Sequence, residues 1–253
     1  MIRSLFRKSA PPLLPRVPDD VRVYAIGDIH GRLDLFDQLL AKIDADHDAR
    51  PEKRRILILL GDLVDRGPDS AGVVRRALTL DGSSDETHVI AGNHEELFQA
   101  ALDDDRDAMR IFARAGGRET ILSYGVATDV YDRTDFDDLS ELIRAHLPQE
   151  HVDFLARLED VVEIGDYAFV HAGIRPGVPL KDQRASHLRW IRSEFLDHRG
   201  THPKMIVHGH TITDRVDERP NRIGIDTGAY ESGRLTAIGL DGDQRWFIDT
   251  SED

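Results

Sequence analysis

Short apolar runs alternate with amphipathic stretches through the first hundred residues, and this alternation constrains the fold more than any other feature. The apolar runs have the length and β-branched content of buried strands, and the stretches between them have helical spacing. The predicted strands are Val21–Ile26 and residues 56–60 and 87–91, and the predicted helices are residues 33–43, residues 71–80 and a helix starting within NHEELFQAAL. This order predicts a layered α/β fold with a largely buried sheet.

The rest of the chain divides into a charged helical part and a part dominated by strands. Residues 103–158 have helical patterning and no linker composition, which predicts a helical insertion within one domain of residues 21–253. Short strands are predicted at residues 161–164, 167–171, 205–208, 222–225, 235–240 and 245–248. Residues 1–20 contain prolines and basic residues but no continuous apolar core, which predicts a flexible leader and not a signal peptide.

Composition excludes several classes of site and partner. The 253 residues contain no cysteine, so disulfides, zinc–thiolate sites and thiol nucleophiles are excluded, and a cytoplasmic location is expected. A formal net charge of −14 argues against nucleic acid as the main partner, because phosphate backbones require a basic face. No apolar run reaches the roughly 18 residues of a membrane span, so no integral membrane association is expected.

Five polar clusters follow predicted strands. They are GDIHG (27–31), GDLVDRG (61–67), GNHEE (92–96), FVHAG (169–173) and VHGHT (207–211). Sites in α/β sheets form beyond the carboxyl ends of the strands, so these loops are expected to converge. Their Asp, Asn and His donors suit Mn²⁺, Fe or Zn²⁺. Six candidate ligands are too many for a single catalytic ion that keeps open coordination positions. They suit two ions that together stabilise the attacking and leaving oxygens of a phosphoryl transfer.

Each cluster also has an ordinary structural interpretation. Asp28 and His30, taken alone, are typical of a solvated turn, and the DRG of residues 65–67 is compatible with any tight turn. Asn93 could cap a helix, with Glu96 at the third helical position. The joint occurrence of all five clusters at strand ends favours the metal site.

Together the clusters and the segment IDTGAYESGRLTAIGLD resemble the phosphoprotein phosphatase family of calcineurin-like metallophosphoesterases, most closely its bacterial and phage-type members. The resemblance implies a layered sandwich of mixed β-sheets flanked by helices. It also implies a metal-dependent phosphomonoesterase that hydrolyses phosphoserine and phosphothreonine in proteins, and phosphotyrosine as a further substrate, through hydroxide held by two metals. The alternative is a symmetrical diadenosine tetraphosphate hydrolase with the same metal core.

The same resemblance assigns the metal ligands. It implies two divalent ions, Mn²⁺ in preference to Fe or Zn²⁺, held by Asp28, His30, Asp62, Asn93, His171 and His210. Asp28 and His30 would hold the first ion, Asp62 would bridge both, and the remaining three would complete the second. Ile212 stands where the wider superfamily has another histidine ligand, which matches the protein-phosphatase branch.

Four further residues receive catalytic or phosphate-binding roles from the resemblance. His94 is the expected general acid, with Asp65 orienting its imidazole; the alternative for Asp65 is a salt bridge with Arg66. Arg66 and Arg192 would bind the phosphate, since a planar guanidinium can hold two phosphate oxygens. Arg189, one helical turn before Arg192, is the competing candidate.

A rival of another class is a catalytically silent scaffold that binds a phosphorylated partner. Such a scaffold would be expected to have lost an essential position, and every ligand position, His94, Asp65 and Arg66 fit the family pattern. The expected partners are therefore phosphorylated protein substrates, and the sequence does not indicate an oligomeric state.

Overall fold

Two five-stranded sheets, packed face to face, form the centre of the residues that the structure describes, 14–83 and 86–251. The structure is a computed structural model. Its strands are β1 Val21–Ile26, β2 Arg54–Leu59, β3 Glu86–Val89, β4 Val162–Ile164, β5 Tyr167–Phe169, β6 Met205–His208, β7 Asp217–Glu218, β8 Arg222–Gly224, β9 Thr236–Asp241 and β10 Gln244–Asp249. Its α-helices are α1 Leu33–Asp48, α2 Ser70–Asp81, α3 Asn93–Leu102, α4 Arg106–Phe112, α5 Arg118–Ser123, α6 Thr128–Tyr131, α7 Leu139–His146, α8 Gln149–Leu155, α9 Ala185–Trp190, α10 Ser193–Leu196 and α11 Ala229–Ser232.

Each sheet contains three parallel neighbours and two antiparallel strands. The first sheet has the order β10-β9-β1-β2-β3. In it β1, β2 and β3 are parallel, β9 is antiparallel to β1, and β10 is antiparallel to β9. The second has the order β4-β5-β6-β8-β7, with β5, β6 and β8 parallel. Parallel strands run in the same direction, so their carboxyl ends lie at the same edge of each sheet.

Both faces of the first sheet are buried. Along β1, Val23 and Ala25 point between the sheets, where they join Phe169 and Val207 of the second sheet. Tyr24 and Ile26 point outward into a core with Phe36, Leu39 and Val73 of α1 and α2. The outer face of the second sheet packs on Leu188 of α9 and Phe195 of α10. The predicted sandwich of mixed sheets flanked by helices is confirmed.

The segment between β3 and β4 is helical, with α3 to α8 and a π-helical turn at Ala113–Gly117 between α4 and α5. Gly116 in that turn has φ of 110°, which a residue with a side chain rarely adopts. Residues 1–13 of the predicted leader lie outside the described residues. Val17 is buried, and its N–H donates to the Gly242 carbonyl. Among the described residues, each helix falls short of the length and apolar character that a bilayer crossing requires.

Candidate metal centre

The polar clusters meet where the parallel strands of both sheets end. Residues 28, 30, 62, 65 and 93 follow β1, β2 and β3, and residues 171 and 210 follow β5 and β6. A sixth strand, β8, leads to Asp226, which the sequence analysis did not assign to the site. Asp226 is buried, and its carboxylate accepts the Gly228 N–H at 2.9 Å. It also follows the strand-end rule that identified the other clusters, so the signal was present in the sequence.

The backbone at this edge is held in an unusual conformation. Six non-glycine residues of the described chain have positive φ, and five are His30, Asp62, Asp65, Arg66 and His210. Each such conformation costs about 1 kcal/mol or more and persists only where surrounding contacts enforce it. The strain is therefore concentrated on the residues that face the centre.

Asp62 lies between two groups of imidazoles. Its Oδ2 is 3.4 Å from His30 Nε2, and its Oδ1 is 3.4 Å from His171 Nε2. His171 Nε2 also lies 3.0 Å from Asn93 Oδ1 and 3.2 Å from His210 Nδ1. One carboxylate thus presents one oxygen to each group, which is the arrangement that a bridging ligand requires. Asn93 is the first residue of α3 and points into the centre; Gly92 occupies the N-cap position.

Main-chain carbonyls orient two of the imidazoles. His30 Nδ1 lies 2.8 Å from the Val64 carbonyl, and His171 Nδ1 lies 2.8 Å from the Leu60 carbonyl. Because a carbonyl only accepts, Nδ1 of each ring carries the proton and Nε2 is left with a lone pair directed at the centre. Nε2 of His210 is buried without a hydrogen-bond partner among the described residues, while its Nδ1 faces His171.

The pKa values of these groups follow from burial and mutual charge. Burial lowers the pKa of His30 to about 3 and that of His210 to about 2, and it lowers the pKa of His171 as well. Burial alone would raise the pKa of Asp62, but the surrounding histidines lower it well below the ordinary value. Neutral imidazoles and an ionised carboxylate are the forms that bind divalent cations.

Asp28 and Asp226 concentrate negative charge beside Asp62. Both carboxylate oxygens of Asp28 accept the main-chain N–H of His210, at 3.2 and 3.0 Å. Burial, then Asp226, then Asp62 raise the pKa of Asp28 well above its usual value. Burial likewise raises the pKa of Asp226 to about 6, and the charge of Asp62 adds to this. A bound cation would relieve this repulsion.

Glu95 is a second buried acid that the sequence analysis missed. Its Oε2 accepts the N–H groups of Asp62 and Gly92, both at 2.8 Å, and its Oε1 accepts those of Leu63 at 2.7 Å and Val64 at 3.2 Å. Burial and then Asp62 raise its pKa to about 7, and the N–H groups of Gly92 and Leu63 oppose that rise. This carboxylate ties the loop after β2 to the start of α3.

His94 and Asp65 form a buried pair beside the ligands. His94 Nδ1 is 2.6 Å from Asp65 Oδ2, and Asp65 is fully buried. Burial acts to lower the pKa of His94, but Asp62 and Asp65 together raise it above the usual value. Asp65 is thus engaged with His94, while the guanidinium of Arg66 donates to Nε2 of His30 at 2.8 Å and of His94 at 2.9 Å.

The arginine candidates separate clearly. Arg189 is bound to Asp160 and Glu96, so it is committed to other partners. Arg192 is exposed, and its charge contributes to lowering the pKa of His210, which places it on the open side of the centre. Arg66 lies 4.7 Å from the ring centroid of Tyr230, a neighbour that the sequence analysis did not identify.

His208, the first histidine of the VHGHT cluster, is buried against Phe195.

The side chains present fit two divalent cations. One group that could hold an ion comprises His30, Asp62 and His94, and the other comprises Asp62, His171 and His210, with the ligand atoms of each group within 4.8 Å of one another. The groups share Asp62, and their nitrogen and oxygen donors suit Mn²⁺, Fe and Zn²⁺. His94 reaches the first group through Nε2, since its Nδ1 is bound to Asp65, and that nitrogen can either bind an ion or carry a proton but not both.

Comparison with known proteins agrees with this arrangement. The model of the calcineurin-like phosphoesterases matches residues 21–231. The symmetrical bis(5'-nucleosyl)-tetraphosphatase of Acidovorax sp. (strain JS42) is 36% identical over 154 residues, which cover 61% of this chain and 44% of that relative. The chain thus spans under half of that relative's length.

Two other similarities cover most of both chains. Serine/threonine-protein phosphatase 2 of Escherichia coli (strain K12) is 28% identical over 232 residues, which cover 85% of this chain and 90% of the relative. The crystal structure of a cold-active protein-tyrosine phosphatase from a psychrophilic Shewanella species superposes with a TM-score of 0.58 at 18% identity, covering 92% of this chain and 83% of that one. At that identity the superposition shows the fold alone.

Proposed function

This chain belongs to the calcineurin-like phosphoesterase family, and from that premise we propose that it hydrolyses phosphoserine and phosphothreonine in proteins with the help of two divalent metal ions. The observation that carries the proposal is Asp62, which presents one oxygen to each of two histidine groups. Mn²⁺ is the proposed metal, and Fe and Zn²⁺ suit the same donors. Cations bound there would acidify a water molecule towards neutral pH and stabilise charge on the phosphoryl oxygens.

We assign the ligands as Asp28 and His30 for the first ion, Asp62 for both, and Asn93, His171 and His210 for the second. The neutral imidazoles of His30 and His171 direct Nε2 lone pairs inward because their Nδ1 protons are held by carbonyls. Arg66 and Arg192 bind the phosphate in this proposal. Arg66 supports it best, because its guanidinium already donates to Nε2 of His30 and of His94 at the centre.

His94 donates a proton to the leaving oxygen. Asp65 holds the Nδ1 proton, so Nε2, which accepts from Arg66 in this structure, is the atom that must carry the second proton to the leaving oxygen. The serine or threonine alkoxide released from a phosphomonoester is a strong base and requires that proton, whereas the phosphate released from a phosphoanhydride is a much weaker base. A buried acid with a dedicated carboxylate partner therefore favours the phosphomonoester.

The second candidate is hydrolysis of dinucleoside tetraphosphates. It is favoured by the 36% identity to the Acidovorax tetraphosphatase and by a cavity of about 700 Å³ beside Arg66, lined also by Arg32 and Tyr230. An aromatic ring and two guanidinium groups there could contact a nucleoside and its additional phosphates.

A direct comparison of substrates tests both candidates. Protein stripped with a chelator and reloaded with Mn²⁺ would be assayed for kcat/KM on a phosphothreonine peptide and on diadenosine tetraphosphate. We expect metal-dependent phosphate release and a preference for the peptide. A preference for the tetraphosphate, with two molecules of ADP formed, would support the second candidate. Failure of any divalent metal to give turnover on either substrate would contradict both and leave the silent scaffold.

A further inference from the structure

The helical insertion contacts the site at the turn formed by Asp65 and Arg66. The Arg66 N–H donates to the Gly116 carbonyl at 3.1 Å, and the Asp65 N–H donates to Thr120 Oγ1 at 2.9 Å. A Cβ at Gly116 would lie 2.6 Å from the Arg66 nitrogen, so the two segments are in backbone contact. Gly116 therefore packs closely against the turn that carries two proposed functional side chains.

Thr120 adds a side-chain contact to this backbone contact. Its hydroxyl is fully buried and donates to Asp65 Oδ1 at 2.6 Å, on the opposite oxygen from the one that faces His94. Ser70 Oγ lies 3.0 Å from Thr120 Oγ1 and accepts the Asp65 N–H at 3.0 Å. Because the single Thr120 proton is directed at Asp65, the Ser70 proton is the one left to donate to Thr120.

The result is a directed chain of hydrogen bonds from Ser70 to Thr120 to Asp65 to His94. Asp65 has one oxygen held by the hydroxyl and the other by the imidazole, so its carboxylate cannot rotate without breaking a buried bond. Breaking that bond would leave a buried polar atom without a partner, so this orientation of the carboxylate is favoured. The hydroxyl thereby determines where the acceptor for His94 Nδ1–H lies.

We propose that Thr120 is a positioning residue that orients His94 through Asp65, and that the helical insertion contributes to catalysis by supplying it. The inference rests on the proposed phosphoesterase function and on the role of His94 in it. Among the described residues, Thr120 Oγ1 hydrogen-bonds to Asp65 and Ser70 rather than to a candidate ligand, and Thr120 is fully buried. Its contribution therefore depends on the need to protonate the leaving group.

The test compares two aryl phosphates, p-nitrophenyl phosphate and phenyl phosphate, whose leaving oxygens differ in basicity. In Mn²⁺-loaded Thr120→Val, we expect kcat on phenyl phosphate to fall about 10- to 100-fold, the usual effect of losing an orienting partner. The fall on p-nitrophenyl phosphate should be clearly smaller, KM should change little, and the manganese content should match that of the wild type. Thr120→Ser should restore most of kcat because it keeps the hydroxyl.

Ser140→Ala is the matched control. Ser140 also lies in the insertion and is buried, but its hydroxyl donates to the Ala101 carbonyl at 2.9 Å, away from the site. Its loss should leave the ratio of the two rates unchanged. The decisive comparison adds Thr120→Val to His94→Asn: if Thr120 acts through His94, the second change should have no further effect on kcat.

An equal fall on both esters, an additive loss in the double variant or failure of Thr120→Ser to restore kcat would overturn the inference while leaving the proposed function intact. Wild-type protein inactive on both esters with every divalent metal would overturn the proposed function and the inference together. Should Thr120→Val not fold, Thr120→Ala removes the same hydroxyl with a smaller side chain, and the same ratio decides.

Discussion

Gly92 lies between β3 and α3, and replacing it with alanine should disrupt the centre without altering any ligand. Its φ of −87° and ψ of 176° are accessible to any residue, so the backbone permits the change. The added Cβ would collide with Asp62 Oδ1 and lie 2.5 Å from the Asp62 nitrogen and 2.8 Å from Glu95 Oε2. These atoms belong to the carboxylate that faces both histidine groups and to the buried acid that holds its loop.

Overpacking of this kind costs about 1–3 kcal/mol of unfolding free energy. A displacement of Asp62 by more than about 0.5 Å exceeds the tolerance of a preorganised site. Gly82 is the matched control: its φ is −86°, but a Cβ there meets nothing closer than the Leu78 carbonyl at 3.6 Å. Gly82→Ala should be stabilised by about 0.4–1 kcal/mol through lower entropy of the unfolded chain. The two variants should therefore differ by about 1.5–4 kcal/mol.

Chemical denaturation of the chelated proteins measures this difference without any contribution from metal binding, and titration calorimetry with Mn²⁺ measures the site. We expect Gly92→Ala to bind manganese more weakly, with fewer than two ions per chain, and Gly82→Ala to bind as the wild type does. Equal stability of the two variants together with unchanged manganese binding by Gly92→Ala would refute the steric reasoning.

The other predictions concern the acid, the metals and Asp226. His94→Asn should reduce kcat on phenyl phosphate much more than on p-nitrophenyl phosphate, with manganese content by atomic absorption near that of the wild type; an equal loss would contradict the general-acid role. Chelation should abolish turnover and lower the thermal midpoint, since a ligand at 100 times its Kd stabilises by about 2.7 kcal/mol; a midpoint insensitive to chelator and Mn²⁺ would argue against a site. A carboxyl whose pKa is raised to about 6 by folding costs stability above its unfolded pKa, so chelated Asp226→Asn should be more stable than the wild type at pH 7, by on the order of 1–3 kcal/mol. That gain should shrink as pH falls towards 4 in denaturation measurements and would be absent if Asp226 carried no such cost.

Local patterning anticipated the parts of the fold that depend on neighbouring residues. Strands β1 and β6 have the predicted bounds, and α2 extends one residue beyond its predicted bounds at each end, because apolar content and spacing are local properties. The two-residue strand β7 was not predicted, since Asp217 and Glu218 have no strand pattern of their own and pair only because β8 lies beside them. Helix α1 runs five residues beyond its predicted end at residue 43.

The sequence by itself determined the donors of the candidate centre and their placement at strand ends, because residue type and spacing are written in the chain. The tertiary structure decided the partners. Asp226 joins Asp28 across the interface of the two sheets, Glu95 meets the loop after β2, and Thr120 meets Asp65 across 55 positions of sequence. Glutamate and threonine have many ordinary uses in helices, so neither residue signals its role alone. Only tertiary packing brings such a side chain to a buried polar partner. The contact matters because a buried polar group without a hydrogen bond costs free energy.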